Sequence, residues 1–189
     1  MIFVLLILAV PIASGRLVSR RAELVELVGK AIYPYYRGPD LALGTEDVSR
    51  MEEYMRWGRR LKELNPALTA QEVFESGRAI VRYSGAYKLP PSLVVAIIKV
   101  ESHGNVRAVS RRGARGLMQV MPWWPSALGM EGDLFSIDTN IRIGTHILAE
   151  NIKRWGKKEG IQRYYRGNLP VSGERYYVKV QQALLEVPG

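Results

Sequence analysis

Pro90-Pro91-Ser92-Leu93-Val94-Val95-Ala96-Ile97-Ile98-Lys99-Val100-Glu101-Ser102-His103-Gly104 is the stretch that carries the reading of this chain. Prolines at its start and a glycine past its end bracket a helix. At helical spacing Val94, Ile97, Ile98 and Glu101 share one face, while Lys99 points elsewhere. An apolar face therefore ends in a carboxylate. Desolvation disfavours the charged form and raises a carboxyl pKa, and a raised pKa suits a general acid. Periodicity alone leaves a second reading open, a buried and hydrogen-bonded Glu of structural use only.

Working outward, helical patterning dominates. Residues 17–33 read as a helix, followed by a Pro/Gly linker over 33–40. Residues 47–64 read as a charged helix that stops near Asn65-Pro66. Thr69 followed by Glu72 is a capping box that opens a helix running to about Tyr87. After the Glu101 helix comes a loop over 104–112, then a short helix over 114–120 closed by Pro122. The segments 122–125 and 129–132 read as irregular. Helices are expected over 138–155, with Asp138 as N-cap, over 160–166, and over 174–185. No segment alternates as a strand with hairpin turns. No repeat of 20–50 residues appears. The expected fold class is all-α, with residues 69–189 as one domain and residues 16–68 as a helical N-terminal extension.

The 189 residues suffice for one compact domain with a real core, and the charge is +9. The basic excess is spread over both halves of the chain. A nucleic-acid partner would need a clustered stripe with base-reading motifs, and only the short Arg111-Arg112-Arg115 cluster is present, so no nucleic acid is expected. A diffuse positive surface suits an anionic polymer or anionic lipid. There is no cysteine, which excludes disulfides and cysteine–zinc sites. His103 and His146 show no metal-ligand spacing, so neither a metal nor a cofactor is assigned. Residues 2–12 are an unbroken apolar run followed by Ala13-Ser14-Gly15 and then arginines. The run is short for a membrane span and long enough for a signal h-region. Residues 1–15 are read as an export signal, with an N-terminal membrane anchor and a packed first helix as the alternatives.

Glu101-Ser102, then Ala108-Val109-Ser110, then Gly113-Ala114-Arg115-Gly116-Leu117-Met118-Gln119-Val120-Met121-Pro122 form one continuous pattern. It resembles the catalytic core of the soluble-lytic-transglycosylase-like family, whose pattern is Glu-Ser, Ala-x-Ser, Gly-Ala-x-Gly-Leu-Met-Gln-x-Met-Pro. Asp138-Thr139-Asn140-Ile141, Gly144 and Leu148 match the family's next helix. Tyr164 and Gly167 match the ends of its Tyr-Asn-Ala-Gly motif, and Tyr177-Val178 match its terminal Tyr-Val. The family's Asn after the Tyr is Tyr165 here, and Trp123 and Trp124 replace a small residue and Thr after Pro122. Either Trp could stack on a sugar ring or pack in the core.

The resemblance, over roughly residues 80–183, implies a lysozyme-like fold with a sugar cleft and peptidoglycan glycan strands as substrate. It implies Glu101 as the single catalytic acid and base, with the substrate's N-acetyl group replacing an enzymic nucleophile and a 1,6-anhydro product. Ser110 and Gln119 would then hydrogen-bond the substrate, Met121 would line the sugar floor, and Tyr164 would approach and orient Glu101. Asn140 and Gly144 are expected to be structural, and Gly113 and Gly116 to allow close approach of the chain at the cleft edge. A retaining glycosidase needs a second close carboxylate; only Asp133 and Asp138 offer themselves, as a loop residue and a helix cap. Hydrolysis by a muramidase, and a weakly catalytic wall-binding or secretion-apparatus module, are the alternative functions. The expected location is the periplasm or cell envelope, and oligomeric state is left open.

Overall fold

The computed structural model describes residues 45–167 and 173–187. The export signal expected over 1–15, the helix over 17–33 and the linker over 33–40 lie outside the described residues, as does most of the expected extension. Among the described residues the architecture is all-α. Its helices are α1 (Thr45–Leu64), α2 (Ala70–Tyr87), α3 (Pro91–Ser102), α4 (Trp124–Leu128), α5 (Ile137–Trp155), α6 (Lys157–Arg166) and α7 (Arg175–Leu185).

α3 is the hub. Leu93, Val94, Val95, Ala96, Ile97 and Ile98 are all essentially inaccessible, as expected of a helix that is apolar all round. Pro91 occupies its first turn, where the missing N–H costs nothing. α1 and α2 pack against α3 on one side and α7 on another, while α5 lies across α2 and α6 folds back on α5. α1 and α2 meet closely because Gly58 and Gly77 sit at their crossing. A Cβ on Gly77 would lie 1.7 Å from the Tyr54 carbonyl oxygen. Trp57 and Leu61 of α1 join the same hydrophobic core as α2 and α3.

α2 opens on the expected capping box. The Glu72 N–H donates to Thr69 Oγ1 at 3.2 Å, and the Thr69 N–H donates to Glu72 Oε2 at 2.8 Å. Three expectations fail. Residues 114–120 are not helical: Arg115 pairs with Val120 and Val109 with Arg115 in isolated antiparallel bridges. Gly116 and Gln119 take positive φ of 73° and 50° inside that turn, which a right-handed helix does not allow. Asp138 is not an N-cap either. Ser136 holds that position, and Asp138 lies in the first turn, where its carboxylate accepts the Tyr83 hydroxyl at 2.7 Å. The stretch 122–125, expected to be irregular, instead leads into the five-residue helix α4, which begins at Trp124.

Candidate active site

Glu101 is placed by three layers of local structure. The buried α3 fixes its backbone. His103 ends the helix in the left-handed conformation, with φ of 51°. Ser102 then donates its hydroxyl to the Leu117 carbonyl at 2.7 Å, which ties the helix end to the 105–121 loop. Asn65, just past α1, donates to the Gly104 carbonyl at 3.0 Å and steadies the turn from behind.

The loop itself is pinned by Asn140 of α5, 1% exposed. Its amide donates to the carbonyls of Arg115 and Leu134, both at 2.8 Å, and its oxygen accepts the Met118 N–H at 2.8 Å. One buried amide thus satisfies three backbone groups, two of them in fully buried bonds. Gly116 is the matching concession: a Cβ there would fall 2.3 Å from the Asn140 amide nitrogen. Gly113 has a positive φ of 84° in its turn but no close neighbour, so close approach is needed at Gly116 and not at Gly113.

These elements enclose a cleft of about 270 Å³, lined by Glu101, Ser110, Gln119, Met121, Trp124 and Tyr164 among others. All five site residues expected from the sequence therefore face one space. Among the described residues lining it, Glu101 is the only carboxylate. Asp133 spends an oxygen on the Phe135 N–H at 2.9 Å in an exposed loop, and Asp138 is held by Tyr83; neither lines the cleft.

Burial pushes the Glu101 carboxyl above its ordinary range. The Tyr176 hydroxyl and the nearby Lys179 ammonium pull in the opposite direction, because both favour the charged form. Tyr176 Oη donates to Glu101 Oε1 at 2.5 Å. Its own phenol is pushed well up by burial and by the Glu101 charge, so it stays a donor at any working pH.

That donor was expected to be Tyr164. Tyr164 does line the cleft, but its hydroxyl donates to the Met118 carbonyl at 2.7 Å. Gly144 makes that possible, since a Cβ there would meet Met118 Sδ at 2.6 Å and Tyr164 Oη at 3.0 Å. Tyr176 was missed. The available signal was the α7 periodicity, which puts Tyr176, Val180 and Ala183 on one buried face. Tyr165, 63% exposed, stacks on Tyr176 with ring centroids 4.9 Å apart and covers it from the cleft side.

Ser110 and Gln119 both serve the backbone. Ser110 Oγ accepts the Ala114 N–H at 3.0 Å and the Arg112 N–H at 3.3 Å, which leaves its O–H as a donor. Gln119 Nε2 donates to the carbonyls of Gly116 at 3.0 Å and Ala108 at 3.2 Å, which leaves its amide oxygen as an acceptor. Trp124 lines the cleft and packs on the core, whereas Trp123 is 58% exposed and lies outside the lining.

Residues 78–175 match the family model described as the transglycosylase SLT domain. A transglycosylase of Enterobacteria phage PRD1 is 38% identical over 84 residues, covering 44% of this chain and 31% of that protein. The soluble lytic murein transglycosylase of Escherichia coli (strain K12) is 33% identical over 84 residues, covering 40% of this chain and 13% of that one. Among solved structures, the 70-kDa soluble lytic transglycosylase from Escherichia coli aligns with a TM-score of 0.46 at 21% identity, over 89% of this chain and 30% of that chain. The chain thus spans less than a third of the length of the relatives it matches.

Proposed function

The chain belongs to the transglycosylase SLT domain family, and from that premise we propose that it is a peptidoglycan lytic transglycosylase. It would cleave the β-1,4 bond between N-acetylmuramic acid and N-acetylglucosamine and leave a 1,6-anhydro end. The fold is the all-α, lysozyme-like one that membership implies. The observation that carries the reaction is the lone carboxylate: among the described residues lining the cleft, Glu101 has no acidic companion. A retaining glycosidase uses two carboxyl groups about 5 Å apart, one of them as nucleophile. With no second carboxylate among the described residues lining the cleft, this reading takes the nucleophile from the substrate.

Glu101 starts protonated, favoured by its burial. It gives its proton to the glycosidic oxygen as the C1–O bond breaks, and the glucosamine unit leaves with a free 4-hydroxyl. The N-acetyl carbonyl oxygen closes on C1 from the other side. Glu101, now a carboxylate, takes the proton of the 6-hydroxyl. That oxygen then displaces the carbonyl from C1, which closes the anhydro ring and returns Glu101 to its acid form. No water is consumed. One group serves as acid and then base, so its pKa must lie near the working pH. Burial raises that pKa, and the Tyr176 bond and Lys179 act in the opposite sense.

Supporting roles follow from what each residue has left to offer. The Ser110 hydroxyl would donate to the sugar near the scissile bond, and the Gln119 oxygen would accept the N-acetyl N–H and aim its carbonyl at C1. Met121 and Tyr164 would floor the cleft. The catalytic domain is taken as residues 69–189, braced by α1. Because this substrate lies outside the cytoplasmic membrane, the protein would act in the cell envelope, with residues 1–15 directing its export or anchoring it. Clearing of purified sacculi by the full chain, lost in Glu101→Gln at unchanged melting temperature below about pH 4, tests the reading. Equal clearing by both proteins would remove Glu101 from the chemistry.

A further inference from the structure

We propose that Arg111 and Arg112 form a carboxylate-reading lip on the cleft, selecting glycan whose muramyl units carry a negative charge on the lactyl arm. This rests on the transglycosylase reading of the site. The two arginines sit at the middle of a tight turn. The Gly113 N–H donates to the Ser110 carbonyl at 2.9 Å, and the Ser110 N–H to the Ala114 carbonyl at 2.9 Å. Ser110 Oγ also accepts from the turn. The backbone under both guanidinium groups is therefore held firmly, by the same Ser that faces the substrate space.

Both side chains are exposed, and both line the cleft with Glu101. Among the described residues neither is in an ion pair. Other arginines of the domain are engaged: Arg60 with Glu63, Arg163 with Glu159, and Arg115 over the Phe135 ring. Two cations thus project at the mouth of a cleft whose single acid is set deeper. A planar guanidinium is matched to carboxylate geometry.

The sugars of the proposed substrate are neutral except at one place. Muramic acid bears a 3-O-lactyl group, whose carboxyl is either free or amide-linked to a peptide with carboxylates of its own. A carboxylate on that arm is the shared chemistry, and the lip would hold the muramyl unit in register while Glu101 meets the adjacent glycosidic oxygen.

Binding is measured with the Glu101→Gln full chain, so that the glycan stays intact. Three preparations are compared: peptide-bearing strands, strands stripped to free lactyl carboxylates, and stripped strands capped as neutral methylamides. The neutral strands should bind about five- to tenfold more weakly than at least one charged preparation, in keeping with two exposed ion pairs. Whichever charged preparation binds better identifies the source of the carboxylate. Adding Arg111→Gln and Arg112→Gln should bring all three to within about twofold, while Arg107→Gln, at an exposed arginine outside the cleft, keeps the discrimination. Equal binding of neutral and charged strands, or discrimination that survives the double substitution, would overturn the proposal. Discrimination without cleavage by the wild-type protein would instead overturn the enzymatic reading and leave the lip standing. No binding to any preparation would overturn both.

Discussion

Glu101 was legible in the sequence because its position is local: helical spacing on an apolar run suffices to place a carboxylate at a buried helix end. Its hydroxyl partner was not, because Tyr176 lies 75 residues away and Tyr164, in the better-known motif, was the natural candidate. The raised pKa of Glu101 has a consequence for folding. Between its ordinary value of 4.5 and the raised one, the folded protein holds a proton that the unfolded chain releases. Stability therefore falls as pH rises through that window. Gln cannot ionise, so Glu101→Gln should melt higher than wild type at about pH 7, with the gap closing below about pH 4. Melting curves at the two pH values check this, and a variant that melts lower at neutral pH contradicts it. Tyr176→Phe removes a bond that favours the ionised form. The alkaline limb of the pH–rate profile should move upward, and the rate at its optimum should drop by about ten- to a hundredfold through loss of the aligned base. A profile identical to wild type would mean that Tyr176 only packs.

At the scale of elements, the long helices were readable from periodicity and caps, and the observed ends of α1, α2, α5 and α7 fall within a residue or two of the expected ones. The turn over 114–120 was not. Leu117, Met118 and Gln119 favour helix by propensity, and the deciding interactions are long-range: Asn140 holds the turn open from α5. The same limit hid the role of Asp138, whose Tyr83 partner is remote in sequence. Asn140→Ala would leave three backbone groups unpaired around the loop, two of the lost bonds being buried. It should cost roughly 2–4 kcal/mol of stability and most of the activity, since Met118, Gln119 and the cleft wall move together. Gln119→Ala should lower stability and turnover in parallel, by about 1–2 kcal/mol in folding, because its amide supports two carbonyls as well as facing the cleft. By contrast Thr69→Ala removes only the α2 cap, costs about 1 kcal/mol, and leaves turnover per folded molecule unchanged. Paired melting and sacculus-clearing assays distinguish the three.

At the scale of the molecule, the core formed by the described residues is arranged so that α3 delivers one acid to a cleft walled by the 105–121 loop, α4 and α6. The all-α class and the position of the cleft were foreseeable, because the pattern from Glu101 to Pro122 is contiguous and its spacing is set by the fold. The adjacent Arg111 and Arg112 were visible in the sequence, but their place on the cleft lining and the Tyr165–Tyr176 stack were not, since both depend on how the elements pack. The central claim is that one carboxylate suffices because the substrate supplies both the nucleophile and the final hydroxyl. Digestion of sacculi by the full chain in isotopically labelled water, followed by mass spectrometry of the released muropeptides, tests it most directly. The account predicts anhydro-muramyl ends, one water lighter than reducing ends and free of label. Reducing ends that carry one labelled oxygen per cleavage would contradict it and make the protein a hydrolase.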